Sequence, residues 1–364
     1  MQGAGNKRIV DLEAIRQNVR ALRTLVPEKT GLLAVVKADA YGHGAVPVTR
    51  AALEAGSSWL AVARVQEGLE LREAGIAAPI LVLGLPEAGD YAPAARQDIT
   101  LTVCTPAHIA AMRAQNAPMT CHLKLDTGMG RIGCRTAAEV AEMLRALEAA
   151  PNVRLTGAYT HLADADGDDL AFSWEQVRRF RELTEPLPEN ILRHCANSAA
   201  IHRMMPDAAF DLVRMGISLY GCAPVPTDLP LRPAMCWVSQ ITHIKDLRPG
   251  DTVSYNRTWT ADAPTRVATV SCGYGDGYHR SLSGRAQVLL RGHRLPLIGR
   301  VCMDQLMIDV STVPEAAVGD IVTLMGRDGS EEISASELAA WAGTISYEML
   351  LSSPPRVPRE WLNP

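Results

Sequence analysis

Over the first two-thirds of the chain, short runs rich in Val, Ile and Leu alternate with stretches of helical periodicity, and this alternation leaves few folds open. Eight such runs occur, over residues 32–36, 59–63, 80–83, 100–103, 121–126, 155–160, 191–195 and 212–215. Near-continuous apolar runs, each followed by a crossover, are what parallel strands look like when helices cover them. The first helix is expected from Asp11 as N-cap, with Leu12, Ile15, Val19 and Leu22 on one face. Gly56 follows a helix carrying Leu53, and Thr105 is placed to cap a helix over 108–113. Eight strands alternating with helices predict an α/β fold, a (β/α)8 TIM-type barrel.

After Pro233 the alternation stops, and stretches such as TRVATVSCGYGDGY, AQVLLRGHRLPLIGRV and GDIVTLMGRDGSEE read as strands broken by turns. A chain of 364 residues is too long for one hydrophobic core. The expected organisation is a barrel over residues 11–231 followed by a mainly β C-terminal domain over 232–364. The proline-dense stretch 224–233 is a strap between them.

Charge and composition narrow the function. The net charge of -4 is small and acidic and basic residues are interspersed, so no basic footprint for nucleic acid exists and a small-molecule partner fits better. Eight cysteines are scattered without C-x-x-C or Cys/His metal spacing, which predicts reduced thiols and no metal site. MQGAGNKRIV has no apolar h-region, and no stretch approaches the ~20 apolar residues of a membrane span, so a cytoplasmic protein without membrane contact is expected.

In a barrel of this kind chemistry belongs at the C-terminal ends of the strands. The polar residues there are Lys37 in AVVKADAYGHGA, Lys124 and Asp126 in LKLDTGMGRIG, His161 in AYTHLAD, Asn197 and Ser198 in HCANSAA, and Arg214 with Gly216 in VRMGISLYG. Lys37 ends a strongly apolar run, where desolvation lowers an ammonium pKa and makes the amine nucleophilic toward an aldehyde. Taken alone, Lys37 reads more readily as a lysine solvating the barrel rim. Gly42, Gly44, Gly216 and Gly221, with Ser198, supply amides and a hydroxyl able to hold a phosphate, although isolated glycines usually mark only turns.

The strings AVVKADAYGHGA, LKLDTGMGRIGC, THLADAD, ANSAA, VRMGISLYG, VSYNRTW, GYGDGY and GRVCMDQLMIDV, in this order, resemble the bacterial alanine racemases, and the likeness runs from Lys7 to the terminal PPRVPREW. The resemblance implies a fold-type III pyridoxal 5'-phosphate enzyme, a homodimer whose active sites are shared between chains, and an N-terminal strand (1–10) that joins the β domain. It implies that Lys37 carries the cofactor as a Schiff base and that Tyr255 in VSYNRTW, from the partner chain, is the second catalytic acid/base on the opposite face. Two bases flanking one α-carbon invert it without the substrate turning over. His161 matches a histidine able to tune that phenol, and Arg214 matches the arginine that meets the pyridine nitrogen, where a guanidinium can only donate.

The remaining expectations follow from the same likeness. Tyr41, Ser198, Gly216, Ile217 and Tyr347 match phosphate-binding positions, with Asn197 among the cofactor contacts; Tyr41 alone equally reads as a rim aromatic. Arg131 in GMGRIG matches an arginine beside the cofactor's phenolic oxygen and the substrate carboxylate, though a surface charge after a glycine turn is as good a reading. Lys124 matches a lysine that is carbamylated in some relatives, which would hold Arg131 in place. Met303, from the partner chain, is expected to reach the substrate carboxylate through its backbone N–H, with Asp304 beside it in CMDQ. Cys302 is read as a small hydrophobe with no role, and His43, His194 and Tyr274 as outer or entrance residues.

The implied activity is interconversion of L- and D-alanine, supplying D-alanine for peptidoglycan. Two departures stand out: Leu162 where relatives often carry Phe, and Gly275 where Ala is frequent. A smaller residue after His161 keeps open a broad-spectrum or serine racemase on the same scaffold, because an apolar pocket discriminates one methylene or hydroxyl by only ~1–3 kcal/mol. A basic amino-acid decarboxylase shares the architecture, but Arg214 stands where such enzymes place an acid. A single-barrel cofactor carrier would need neither the C-terminal domain nor Tyr255, and a purely structural protein leaves the polar strand ends unexplained.

Overall fold

The computed structural model describes residues 5–364. Of the N-terminal strand expected over 1–10, residues 1–4 lie outside the described residues, and the strand itself is β1 (Lys7–Asp11). Eight strands follow: β2 (Gly31–Val35), β3 (Trp59–Val62), β4 (Ile80–Val82), β5 (Thr100–Val103), β6 (Met119–Lys124), β7 (Val153–Tyr159), β8 (Leu192–His194) and β9 (Leu212–Met215). They pair in parallel in the order β8-β7-β6-β5-β4-β3-β2-β9. Between β8 and β9 the Asp211 amide donates to Arg193 O (3.0 Å), Arg193 N donates to Asp211 Oδ2 (2.7 Å) and Arg214 N to Ala196 O (3.0 Å), which brings the sheet's two edges together. The fold is the eight-stranded parallel barrel that the apolar runs predict.

The opening helix (Leu12–Arg23) buries Ile15, Val19 and Leu22 completely, and Asp11 Oδ1 accepts from Glu13 N at 3.0 Å. Thr105 does stand at the N-cap of the helix Pro106–Arg113, but its hydroxyl meets His108 Nδ1 (3.1 Å) instead of a backbone amide. A ring nitrogen one turn on competes successfully for the hydroxyl.

The remaining strands are β10 (Met235–Leu247), β11 (Thr252–Val253), β12 (Trp259–Thr260), β13 (Thr265–Val270), β14 (Gln287–Leu290), β15 (His293–Ile298), β16 (Leu306–Asp309), β17 (Ile321–Asp328), β18 (Glu331–Ile333) and β19 (Arg359–Leu362); β11 and β12 pair with each other as a two-stranded sheet, and the others belong to a second large sheet. The pairings β10-β13-β16-β15-β14-β17 return to β10 and close a small antiparallel barrel. β10 closes it by serving both ends: Trp237–Gln240 pairs with β17 and 241–247 with β13, with a register shift between Ile241 and His243. Val253, Val267, Ile298 and Met307 form a core cluster in this unit, with Leu247, Trp259 and Cys302 packed against it. β1 extends the sheet beside β10, and β19 runs parallel beside β1.

The chain divides into two compact units, one of residues 14–40 and 44–232, the other of residues up to 13, 41–43 and 233–364. The segment 41–43, inside the range 11–231 by sequence, clusters with the β unit. All eight cysteines are unpaired. Among the described residues no helix is long and apolar enough to cross a membrane.

Candidate active site

Lys37 leaves the end of β2 half-buried, and the chain then does something that L-residues avoid. Ala38, Asp39, Ala40 and Tyr41 all have φ near +50°, a left-handed turn. Each such residue costs about 1–2 kcal/mol, so the turn must be held from outside. Glu67, on the helix Val65–Glu73, accepts the Ala38 amide through Oε1 (2.5 Å) and the Ala63 and Arg64 amides through Oε2 (2.6 and 3.0 Å). Asp39 Oδ1 accepts Ala45 N (2.7 Å), while its carbonyl accepts Gly44 N (2.9 Å). The Lys37 pKa is lowered, first by burial and then by Arg131, with Glu67 opposing and Arg214 adding to the fall.

Arg214, on β9, is buried at the centre of a polar network. Its Nη1 donates to His194 Nδ1 (3.1 Å), and its Nη2 to His161 Nδ1 (3.2 Å) and to the carbonyls of Thr160 and Cys195 (both 2.9 Å). A guanidinium has no acceptor, so both imidazoles accept at Nδ1 and carry their protons on Nε2. His194 Nε2–H then donates to His122 Nδ1 at 3.1 Å, leaving the His122 proton on Nε2, which has no partner among the described residues. Burial keeps all three rings neutral: it pushes the His122 pKa down to about 3, and those of His161 and His194 fall well below the usual value, with Arg214 adding to both. Tyr159 stacks on His194 at 5.0 Å, and its hydroxyl bonds Thr102 Oγ1 (2.8 Å) and Leu83 O (3.1 Å). Gly157 pairs with His122 across β6 and β7, and a Cβ there would sit 2.6 Å from the imidazole, so the ring needs glycine opposite it.

Lys124 ends β6, is buried, donates to Leu125 O (2.6 Å) and lies 5.2 Å over the Tyr159 ring. Burial, Arg214 and Arg131 bring its pKa down to about 7 against the pull of Asp126. Arg131 is exposed on the loop that follows. Asp126 shapes that loop: its Oδ1 accepts Gly128 N (3.2 Å) and Gly130 N (2.9 Å). Gln176, fully buried on the helix Ala171–Thr184, ties the loop to the end of β7 by donating to Thr127 Oγ1 (3.3 Å) and His161 O (3.1 Å) and accepting from Ala163 N (2.8 Å).

Asn197 caps the short helix Ser198–Arg203 by accepting Ala200 N (3.1 Å) and donates to Leu162 O (3.4 Å). Ser198 Oγ accepts the amides of Gly216 (3.0 Å) and Ser218 (3.3 Å), which places Gly216 and Ile217 beside it. Leu162 is buried.

The other expected residues belong to the β unit. Tyr41 and Tyr347 face each other with ring centroids 5.8 Å apart, and burial pushes the Tyr41 phenol far up. Tyr347 sits on the helix Ser346–Leu351, whose C-terminal carbonyls are held by buried Arg8: Nη1 to Leu350 O at 2.5 Å, with Nη2 to Ser352 Oγ at 3.0 Å. Tyr255 is 63% exposed in a short turn (Tyr255–Arg257), and Met303 is 52% exposed. Their loops meet at Ser254, whose Oγ donates to Arg300 O (2.6 Å) and contacts Cys302 Sγ (3.4 Å). Cys302 packs against the β-unit core. Tyr274 N donates to Cys302 O (2.9 Å) and Gly275 N to Met303 O (2.8 Å); Asp304 Oδ1 accepts Arg356 Nη2 (2.7 Å). A Cβ at Gly275 would stand 3.0 Å from Met303 O, a tight fit for any side chain.

The sequence reading singled out Lys37, Lys124, Arg131, His161, Asn197, Ser198, Arg214, Gly216 and Ile217, which the structure places in the parallel barrel, and Tyr41, Tyr255, Met303, Asp304 and Tyr347, which it places in the β unit. It passed over Glu67, Thr102, His122, Tyr159 and Gln176. His122, inside the apolar run MTCHLK, carried a usable signal, because a histidine in mid-strand needs a partner.

Family models of the alanine racemase N-terminal domain and C-terminal domain match residues 10–224 and 234–361. The chain is 46% identical to the alanine racemase of Geobacillus stearothermophilus over 96% of its own length and 92% of the relative's, and 42% identical to alanine racemase 1 of Bacillus subtilis over 97% and 92%. Among solved structures, alanine racemase from Bacillus anthracis with bound L-Ala-P superimposes with a TM-score of 0.92 at 40% identity, covering 100% of this chain and 96% of that one. The biosynthetic alanine racemase of Pseudomonas aeruginosa gives 0.90 at 37%, covering 99% and 100%. A barrel with a lysine at the mouth, a buried arginine between neutral histidines, and likeness through both domains lead to one conclusion: the chain belongs to the alanine racemase family of isomerases.

Proposed function

We propose that this chain is a pyridoxal 5'-phosphate-dependent alanine racemase, acting as a cytoplasmic homodimer and supplying D-alanine for peptidoglycan. The observation that carries the reading is the charge at the barrel mouth. Arg131 and Arg214 lie close enough to Lys37 and Lys124 to lower the proton affinity of both amines, and the neighbouring imidazoles stay neutral. Such a site calls for anions, and a phosphorylated, phenolate-bearing ring with an amino-acid carboxylate fits it. Lys37, with its lowered pKa, is the amine to carry the cofactor; Ser198, Asn197, Gly216, Ile217, Tyr41 and Tyr347 would hold it, with His161 and Arg214 at the ring. When bound, the cofactor supplies an electron-withdrawing ring that acidifies the substrate Cα–H.

The barrel 11–231 supplies the cofactor contacts other than Tyr347, and 232–364, joined by the N-terminal strand, supplies Tyr347 and the residues of the opposite face. Lys37 Nζ exchanges a proton with the α-carbon on one face, and Tyr255 Oη of the partner subunit does so on the other. His161, accepting from Arg214 at Nδ1, keeps an Nε2–H with which to support that phenol. Arg214 donates without giving up its proton. Arg131 and the Met303 amide orient the substrate carboxylate, with Lys124 and Asp304 as supports.

The test follows the optical rotation of L-alanine, and in parallel L-serine, L-arginine and L-lysine, with purified protein and pyridoxal 5'-phosphate. Decay of alanine alone to a racemate is expected; decay of several substrates would replace strict specificity by a broad-spectrum racemase. A flat signal for all four with cofactor bound refutes racemisation. The Tyr255→Phe protein is expected to bind cofactor and lose exchange at the α-carbon of L-alanine.

A further inference from the structure

The terminal string PPRVPREW has no part in the chemistry above, yet its side chains reach two of the segments on which that chemistry depends. Its backbone is anchored on one side: β19 pairs with β1, Arg8 N donates to Pro358 O (3.0 Å), and Lys7 pairs with Glu360 at 2.5 Å. On the other side Arg356 forks between two acids, Nε to Asp276 Oδ1 (2.6 Å) and Nη2 to Asp304 Oδ1 (2.7 Å). Asp276 Oδ2 in turn accepts Gly273 N (2.9 Å), and the same turn clamps the carbonyls of Cys302 and Met303 through the Tyr274 and Gly275 amides. The loop Cys302–Asp304 is therefore latched at both its backbone and its carboxylate.

Three residues on, the strand holds a second segment. Arg359 Nη1 donates to Gly42 O (3.2 Å), Trp361 Nε1 to His43 O (2.8 Å), and His43 Nδ1 to Tyr41 O (3.0 Å), so all three carbonyls behind the Tyr41 ring are engaged. Gly42 has φ +81° and a Cβ there would lie 2.6 Å from Leu350 O, so this segment packs directly on the backbone of the helix Ser346–Leu351.

We propose that residues 354–361 are a positioning strap: Arg356 sets the Met303–Asp304 loop for the substrate carboxylate, and Arg359 with Trp361 sets Tyr41 for the cofactor phosphate. This rests on the roles given to Met303 and Tyr41 above. The two ends separate in one experiment on the holoenzyme. Arg356→Gln is expected to raise KM for both alanine enantiomers ~10-fold, with kcat and cofactor affinity near the parent's, whereas Arg356→Lys, which cannot bridge two carboxylates, recovers only part. Asp276→Asn should give the same KM rise, and the double variant no more than either alone. Trp361→Phe, which keeps the ring and loses one N–H, should weaken pyridoxal 5'-phosphate binding ~5-fold in a titration of the stripped protein, with KM unmoved.

An unchanged KM in Arg356→Gln, additive effects with Asp276→Asn, or unchanged cofactor affinity in Trp361→Phe overturns the strap. A loss of melting temperature alone, without the KM and affinity changes, would make these contacts merely structural and overturn it as well. A parent protein that racemises nothing refutes the proposed function instead, and with it the Arg356 end of the strap, while the cofactor titration still decides the Trp361 end without any activity.

Discussion

Replacing Glu67 by Gln tests whether the left-handed turn after Lys37 is held from the neighbouring helix. Four consecutive residues at φ near +50° raise the energy of this segment by about 4–8 kcal/mol at ~1–2 kcal/mol each. Glu67 opposes that cost with three amide hydrogen bonds to one carboxylate, two on Oε2 from Ala63 and Arg64 and one on Oε1 from Ala38. A glutamine has a single acceptor oxygen. If it stays with Ala63 and Arg64, the amide NH2 faces the Ala38 N–H, donor against donor, and one charge-assisted bond of about 1.5–3 kcal/mol is lost.

The substitution also removes the negative charge that supports the Lys37 ammonium, so the Lys37 pKa falls further. That second effect has the opposite sign, since a more readily neutral amine binds an aldehyde better. Loss of one turn-holding bond corresponds to ~10- to 100-fold in affinity, and a single carboxylate at a half-exposed site shifts a lysine by less. Cofactor binding to the stripped Glu67→Gln protein, followed by absorbance, is therefore expected to weaken ~10-fold or more, with a lower melting temperature. Wild-type or tighter binding would show that charge rather than turn geometry governs Lys37, and would refute the reasoning.

Two further outcomes follow from buried titrating groups. His122 and His194 are fully buried with folded pKa values below the ordinary 6.5, so the unfolded chain binds more protons below that pH. Their contribution is whole above pH 6.5 and declines toward the folded value of about 3 for His122, at up to ~2.7 kcal/mol per pH unit for the two. Urea unfolding at about pH 7 and about pH 5 should show that fall; a flat profile refutes neutral buried rings. Lys124, with its pKa lowered to about 7, is largely a free amine above that pH and open to reaction with carbon dioxide. Added bicarbonate should lower KM for alanine in the parent and leave Lys124→Ala unaffected, and equal bicarbonate responses in both refute carbamylation.

The eight barrel strands were legible because parallel strands covered on both faces need unbroken apolar runs, and a polar residue ending such a run is conspicuous. Lys37, Lys124 and Arg214 stand out for that reason. The left-handed turn was not legible: KADAY holds no glycine or asparagine, only Asp39 tolerates positive φ, and the four-residue run exists because Glu67 and Asp39 hold it. Glu67 reads as an ordinary capping acid in the first turn of its helix, since two of its partners are the local Ala63 and Arg64 amides and only Ala38 lies on another element, and Gln176 reads as an ordinary helix polar because all its partners lie elsewhere. His122 was missed, and His194 left at the periphery, for a different reason. A strand-end rule inspects the rim, whereas Arg214 is oriented from beneath by His194, and His194 by His122, in a chain of single hydrogen bonds that fixes every tautomer from one guanidinium. Residue types at the rim follow from the chemistry the family performs. Their orientation follows from this lower layer, so a substitution at His122, whose hydrogen bond reaches the rim only through His194, should disturb Arg214 by freeing the ring that its Nη1 depends on.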